Sequence, residues 1–114
     1  MMRIVLSLLA TATLAVPQLA SALCDYPPQV DVPEGKTASE AEMKAANAAV
    51  KDYMAAVESY LACLDDEEKA LGDTVTEDQK RVHTEKHNAA VDALNAVAGR
   101  YNEQVQAYKK ASGK

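Results

Sequence analysis

The stretch from Ala38 to Leu71 constrains the fold more strongly than any other part of the chain. Apolar side chains recur in it every seven residues, and others follow three or four positions later. These positions are Met43, Val50, Val57, Leu64 and Leu71, with Tyr53, Met54, Tyr60 and Leu61 beside them. No proline interrupts the stretch, and the pattern is typical of an amphipathic helix that packs one face against a partner helix. Two capping boxes fit its start, Thr37 with Glu40 and Ser39 with Glu42.

A second helical pattern follows Gly72, a residue type that commonly ends helices. Thr76 and Gln79 have capping-box spacing, which places the start of this helix at residue 77. Its seven-residue repeat comprises His87, Leu94, Tyr101 and Tyr108. Val91, Ala98 and Val105 lie four positions after the first three of these residues. We predict an all-α fold, a long antiparallel two-helix hairpin with helices over 38–71 and 77–111 and a frayed tail over 112–114.

Residues 23–37 contain three of the four prolines and are predicted to form an extended arm, because proline restrains its own backbone and that of the residue before it. Two helices alone bury only one stripe each, so a third layer is expected in so small a protein. The arm from Cys24 to Ala38 reaches ~43 Å as a polyproline helix, and the helix from Ala38 to Cys63 is ~37 Å long. A lane of small side chains shares the face of Cys63 and comprises Ala49, Ala56 and Ala70. We predict that the arm runs back along this lane and is pinned to the first helix by a Cys24–Cys63 disulfide.

Alternatives to this arrangement are open at this point. The two cysteines are the only ones in the chain, and they could form an intermolecular disulfide or remain free thiols. A Cys24–Cys63 bond could also hold a loose arm that packs on nothing. We favour the packed arm because the lengths match and because Tyr26, Val30 and Val32 give the arm apolar side chains.

The N-terminus has the features of a secretory signal peptide. Arg3 supplies a positive charge, residues 4–16 are an apolar run, and Ala20-Ser21-Ala22 is a small-x-small cleavage site. We predict that residues 1–22 are removed and that the mature chain lies in the periplasm, with secretion from the cell as the alternative. An exported chain meets an oxidising compartment, which favours the disulfide. An uncleaved anchor is disfavoured because spanning a bilayer needs ~20 apolar residues.

The net charge argues against two classes of partner. It is −5 for the whole chain and −6 once Arg3 leaves with the signal peptide, and no basic run is present. Nucleic acids and anionic membrane surfaces attract clustered Lys and Arg. We therefore expect neither as a partner, and no stable membrane insertion after signal cleavage. We also expect no cofactor.

His83 and His87 are the only histidines and lie four residues apart on the second predicted helix, so both could face one metal ion. The hairpin register places Asp65 opposite them as a third ligand, with Glu68 as the alternative carboxylate. No HExxH motif accompanies the pair, so the pattern has low specificity. The simpler interpretation is one surface histidine and one histidine at the end of the core stripe.

Motifs for catalysis are missing from the sequence. It contains no GxSxG motif and no Gly-rich phosphate loop, and a disulfide would leave no cysteine to act as a nucleophile. The acidic run at 65–68 lacks the loop of a calcium site and is typical of a solvated face. We therefore predict no enzymatic activity.

A second line of small residues lies away from the core stripe and comprises Ala41, Ala48, Ala55 and Ala62. It is either a surface of good helix formers or a docking face for a second copy or a partner helix.

Short motifs at 24–28 (CDYPP), 33–38 (PEGKTA), 50–53 (VKDY), 60–63 (YLAC) and 87–91 (HNAAV) span nearly the whole mature chain. With these motifs the chain resembles a group of small exported proteobacterial proteins of unassigned function. The resemblance implies a Gram-negative periplasmic setting, but no activity and no functional residues.

Two functional hypotheses follow from the sequence. The first is a non-enzymatic periplasmic structural or protein-interaction module that binds another cell-envelope protein or itself. The second is a small periplasmic metal-binding protein that uses His83 and His87.

Overall fold

The computed structural model describes residues 24–113, which form two long helices joined by a short turn. Helix α1 spans Glu40–Leu71, a 3-10 turn spans Gly72–Thr74, and helix α2 spans Glu77–Ser112. The two helices pack against each other as the predicted hairpin, and residues 24–113 contain no strand. The predicted signal peptide, residues 1–22, lies outside the described residues. Among the helices of residues 24–113, none combines the length and the apolarity needed to cross a membrane.

Capping boxes fix where both helices begin. The Ser39 hydroxyl accepts the Glu42 N–H at 3.1 Å, and the Glu42 carboxylate accepts the Ser39 N–H at 3.1 Å. Thr76 and Gln79 make the equivalent pair at 3.1 and 2.9 Å. Because Ser39 rather than Thr37 caps α1, this helix begins at residue 40 instead of 38.

Helix α2 ends one residue later than the sequence predicts. Ser112 belongs to the helix rather than to a frayed tail, because its hydroxyl donates to the Tyr108 carbonyl at 2.8 Å. Gly113 then ends the helix in a left-handed conformation, φ 70°, and its N–H donates to the Lys109 carbonyl.

Helix α1 supplies most of the core. Its buried residues follow one another at alternating spacings of three and four positions. They form the predicted apolar stripe, but the buried stripe is narrower than the sequence pattern. They are Met43, Ala46, Val50, Tyr53, Val57, Tyr60 and Leu64. The sequence pattern includes Met54 and Leu71 in the stripe, but these residues are 41% and 36% exposed. Met54 lies at the edge of the stripe and Leu71 is the last residue of the helix, so α2 does not fully cover either side chain.

Helix α2 is less buried than α1. Ala90 is its one buried residue and is 0% exposed, whereas the predicted repeat at His87, Leu94, Tyr101 and Tyr108 is half-buried. The difference arises because α1 is covered both by α2 and by the arm. Ala90 belongs to the central core cluster with Tyr53, Val57, Tyr60 and Leu64.

The arm is the third layer of the fold. Residues 24–34 are extended, and Cys24 is bonded to Cys63 with their Cα atoms 5.7 Å apart. Val32 is 5% exposed, and Cys24 and Val30 pack against the core cluster. The arm is therefore a packed layer rather than a loose segment held by the disulfide.

Gly35 joins the end of the arm to α2. Its N–H donates to Oε1 of Gln104 at 2.8 Å. A Cβ added at Gly35 would overlap the backbone carbonyl of Gln104 and lie 2.8 Å from the backbone nitrogen of Tyr108. Glycine is required here for close approach to the helix backbone, since its φ is not positive.

We expect Gly35→Ala to lower the free energy of unfolding by ~1–3 kcal/mol, because helix backbone atoms cannot move aside for the added methyl group. Gly99→Ala is the matched control, since a Cβ there meets nothing within 4 Å. Gly99 lies inside α2, so its replacement should raise the free energy of unfolding by ~0.5–1 kcal/mol. Urea denaturation of both variants measures the difference, and equal effects would contradict the packing of Gly35 on α2.

Candidate functional site

A groove lies at the hairpin tip, between the end of α1 and the start of α2, and has a volume of about 340 Å³. We call it the tip groove. Its apolar lining comprises Leu64, Leu71, Val75 and Val82, and its polar rim comprises Glu67, Glu68, Asp78, Gln79, Arg81, His83 and Lys86. Leu71 and Val82 are 36% and 39% exposed, whereas Leu64 at the bottom of the lining is 2% exposed.

The local sequence explains the turn beside the tip groove. Gly72 adopts φ 53°, a left-handed value that favours glycine. The Thr74 hydroxyl then donates to the Leu71 carbonyl, and the Val75 N–H donates to the Gly72 carbonyl at 3.5 Å. Val75 is half-buried between this turn and the start of α2.

His83 lies in the tip groove and faces two carboxylates of α1. Its Nε2 is 3.4 Å from Oδ1 of Asp65 and 3.3 Å from Oε2 of Glu68. The His83 side chain is 18% exposed, less than either carboxylate. The hairpin register predicts Asp65 opposite His83, and the structure brings the two together. A protonated His83 would form ion pairs with both carboxylates across the hairpin.

His87 packs beside His83 on α2. Its ring stacks on that of His83, with centroids 6.4 Å apart and planes at 27°. Within residues 24–113, no three candidate ligand atoms that include a histidine lie within 4.8 Å of one another. The predicted set of His83, His87 and Asp65 is therefore not assembled as a preformed centre, and metal binding stays a prediction. Within the described chain, ligand atoms of Cys24, Cys63 and Glu67 do lie within 4.8 Å of one another. The sulfurs of Cys24 and Cys63 are bonded to each other in the disulfide.

A second groove holds the arm, and we call it the arm groove. Cys24 and Val30 of the arm pack there against the central core cluster, and Tyr53 and Tyr60 of α1 interact with Tyr26. The Tyr26 ring meets the Tyr60 ring edge-on, with centroids 5.2 Å apart and planes at 80°. Pro27 is buried directly after Tyr26. The Tyr60 side chain is buried, whereas Tyr26 covers its edge and remains 52% exposed.

Burial raises the pKa of Tyr53 and of Tyr60 above the ordinary value of 10.0, and the neighbouring Tyr26 adds to both shifts. Glu67 adds a smaller contribution to the shift of the Tyr60 pKa.

We expect the free energy of unfolding to decrease in alkaline solution. Because the folded-state pKa values of Tyr53 and Tyr60 are raised, their contribution is fully present below pH ~10 and is lost as the pH rises through the raised values. Ring-carbon NMR shifts would follow the two titrations. Tyr26→Phe should move both pKa values towards 10.0, whereas Tyr108→Phe should not; unchanged titrations in Tyr26→Phe would contradict the arm contact.

The disulfide at the end of the arm groove indicates the environment of the protein. Cys24 and Cys63 are separated by 39 residues and leave no free cysteine in residues 24–113. Bonds of this kind persist in oxidising compartments, which points to an exported protein. The Cys24 N–H also donates to Oε1 of Glu67 at 3.4 Å.

The predicted alanine face is open to solvent. Its members Ala41, Ala48, Ala55 and Ala62 are all exposed. Exposure is compatible both with a docking face and with an ordinary helix surface, so the interaction role of this line stays a prediction.

The tip groove does not follow from the sequence pattern. The repeat predicts a buried Leu71, and Val75 and Val82 belong to no predicted feature. No helical spacing in the sequence links Val75 to Val82, because Val75 precedes the N-cap of α2.

No protein-family profile, no curated protein and no solved structure matches this chain.

Proposed function

We propose that this protein is a non-enzymatic interaction module of the periplasm that binds another cell-envelope protein or a second copy of itself. The observation that carries the proposal is the tip groove, where Leu71 and Val82 are exposed on the two sides of an apolar cleft. Apolar side chains that are grouped, exposed and rimmed by polar residues are a common feature of protein-binding sites.

The rim of the tip groove supplies charge of both signs. Glu67 and Glu68 come from α1, whereas Arg81 and Lys86 come from α2. Arg81 is already paired with Glu85 at 2.9 Å and with Asp78 at 3.3 Å. Such a rim orients a partner and selects against wrong ones more than it adds affinity.

The disulfide and the packed arm favour binding by holding the hairpin in one shape. A surface that is ordered before binding loses less conformational entropy when the partner arrives. This role needs neither a cofactor nor a catalytic residue, in keeping with the lack of catalytic motifs in the sequence.

Site-specific photocrosslinking in the native envelope tests the proposal. A photoreactive residue at Val82 should give a defined adduct that Leu71→Asp abolishes, and one at the exposed Asn95 of α2 should give none. An adduct from Ala55 but not from Val82 would assign binding to the alanine line instead. Absence of adducts from both positions would overturn the proposal.

Metal binding is the second candidate, favoured by the position of the His83 Nε2 between two carboxylates. Imidazole nitrogen and carboxylate oxygen are both ligands of Zn²⁺. Calorimetric titration of the protein with Zn²⁺ should then release heat that His83→Ala removes. If His87 is also a ligand, His87→Ala should weaken binding as well, and no heat from the wild-type protein would exclude this function.

A further inference from the structure

The arm does not cover the tip groove. Cys24, the first residue that the structure describes, is bonded to Cys63, and its N–H donates to Oε1 of Glu67 at 3.4 Å. Within residues 24–113, the residues that line the tip groove belong to α1, to α2 or to the turn before α2, and none belongs to the arm. The hairpin therefore has a third layer alongside α1 as far as Cys63, whereas the described chain has only two layers at the tip.

The α1 wall of the tip groove carries negative charge that the fold does not neutralise. Residues 65–68 are four consecutive acidic residues, and Glu67 and Glu68 line the groove. In the described chain none of the four forms an ion pair with a lysine or an arginine. Asp65 and Glu68 lie 3.4 and 3.3 Å from Nε2 of His83, a group that carries charge only when it is protonated.

The α2 wall differs, because its acidic residue is neutralised within the same helix. Asp78 pairs with Arg81 at 3.3 Å, and Arg81 also pairs with Glu85 at 2.9 Å. Lys86 adds one further cation to this side of the groove. The tip groove thus has an acidic wall on α1 and a neutralised to basic wall on α2.

The acidic run is unfavourable at its position in α1. The carbonyl groups at a helix C-terminus carry partial negative charge and favour cations, but Glu68 lies in the last turn of α1. Asp65 and Glu68 are three residues apart and therefore neighbours on the helix surface, where like charges repel. Lys69 is the one basic residue of that turn and forms no ion pair in the part of the chain that the structure describes. Residues that break a local rule without compensation in the fold are expected at functional sites, and the compensating group here is a cation.

The lining of the tip groove selects among the known modes of peptide recognition. Strand addition needs an exposed sheet edge, and residues 24–113 contain no strand. Polyproline segments dock in aromatic-lined grooves, whereas the apolar side chains of the tip groove are leucine and valine. Phosphate recognition needs a cluster of arginines, and Arg81 is already paired with carboxylates. An amphipathic helix in an aliphatic groove is the mode that fits.

We propose that the tip groove binds a cationic amphipathic helix of another protein. The apolar face of that helix enters the cleft between Leu71 and Val82, and its lysine or arginine side chains pair with Glu67 and Glu68 on the α1 wall. The bound helix supplies at the tip the third layer that the arm supplies along the rest of α1. This inference rests on the proposed function and names the chemistry of the partner.

Binding of designed peptides to the oxidised protein tests the proposal. The probe is a helical peptide with leucine at positions i, i+3, i+4 and i+7 and with lysine beside the leucines. One reference peptide has glutamate in place of lysine, and the other is a scrambled lysine peptide of the same composition without an apolar face. Calorimetry should show the lysine peptide binding at least ~10-fold more tightly than either reference, with an affinity that falls as salt is added. The amide NMR signals that move should include those of Leu71, Val75 and Val82.

Charge variants test the acidic wall. Glu67→Gln with Glu68→Gln should weaken binding of the lysine peptide ~5-fold, because two ion pairs at a partly exposed site are lost. Asp52→Asn with Glu58→Gln is the matched control, since it removes the same charge from exposed positions of α1 outside the groove. The control should change the affinity less than ~2-fold in ~0.1 M salt, which screens charges at that distance.

Apolar variants test the cleft. Val82→Ser should weaken binding of the lysine peptide ~10-fold, because the apolar surface that the peptide covers is lost. Met54→Ser is the matched control, since Met54 is exposed to a similar degree, 41% against 39%, and lies outside the groove. The control should leave the affinity unchanged.

Several results would overturn the cationic helix as the occupant. Equal binding of the lysine peptide and its scrambled form indicates non-specific attraction to an acidic protein, and tighter binding of the glutamate peptide indicates an acidic partner. Failure of the lysine peptide to bind also excludes the proposal, and self-association of the protein that Val82→Ser abolishes assigns the groove to a second copy instead. If photocrosslinks from Val82 persist in any of these cases, the proposed interaction function stands and only the cationic helix is excluded.

Discussion

Replacing Cys24 and Cys63 together by serine is expected to lower the free energy of unfolding by about 4 kcal/mol, the chain-entropy value for a loop of this length. The two residues are 39 positions apart, so the bond removes much of the conformational freedom of the unfolded chain. A core of this size supplies a net stability of only ~3–5 kcal/mol. Urea denaturation of the oxidised wild type and of the double variant measures the difference.

Ala62→Ser is the matched control for this experiment, because it introduces a serine at an exposed position next to Cys63. Its effect should lie within ~0.5 kcal/mol, as for most surface substitutions. Reduction of the wild type should reproduce the loss seen in the double variant. A loss below ~1 kcal/mol in the double variant would mean that the disulfide contributes little to the fold.

Leu64→Ala should have the next largest effect, a loss of about 3 kcal/mol in the free energy of unfolding. The Leu64 side chain is 2% exposed and packs in the central cluster with Tyr60 and Ala90. Removing three side-chain carbons there costs transfer free energy and leaves a cavity between the helices. Thermal unfolding of the oxidised protein would show a lower melting temperature.

Leu71→Ala makes the same chemical change seven residues later on α1, where the side chain is 36% exposed. Its loss should stay below ~1 kcal/mol, since little buried surface is removed. If the two leucine variants lost equal stability, the narrow stripe of α1 would not be the core of the protein.

The sequence was sufficient to predict the hairpin because its signals are local and agree with one another. The seven-residue repeat identified the buried face of α1, and the capping box at Thr76 identified the start of α2. Two candidate boxes, at Thr37 and Ser39, left the start of α1 open, and the predicted start at residue 38 was two residues early. The arm was predictable from length, since its extended reach matches the helix between Ala38 and Cys63. The Cys24–Cys63 pairing itself was predicted from the exported character of the chain, and the length match agreed with it.

The features that were not predicted depend on contacts between segments that are distant in the sequence. Gly35 lies against Gln104 and Tyr108, but an isolated glycine in a sequence does not indicate its neighbour. Met54 is exposed because the width of a buried stripe depends on how many elements cover the helix. The tip groove depends on the geometry of the turn at Gly72, which a helical repeat does not specify.

For the candidate metal residues, too, the sequence predicted part of the arrangement and not the rest. The register of the hairpin was enough to place His83 opposite Asp65 on the other helix. It was not enough to predict side-chain directions, and in the structure His83 contacts both Asp65 and Glu68 while the His87 ring stacks on His83.

Nuclear Overhauser contacts between the rings of Tyr26 and Tyr60 in the oxidised protein test most directly whether the arm is the third layer of the fold. The ring centroids lie 5.2 Å apart, so cross-peaks between the two spin systems should be strong. Val32, at 5% exposure, should show contacts to α1 in the same spectrum. An intact Cys24–Cys63 bond with no contact from either Tyr26 or Val32 to α1 would contradict the packed arm.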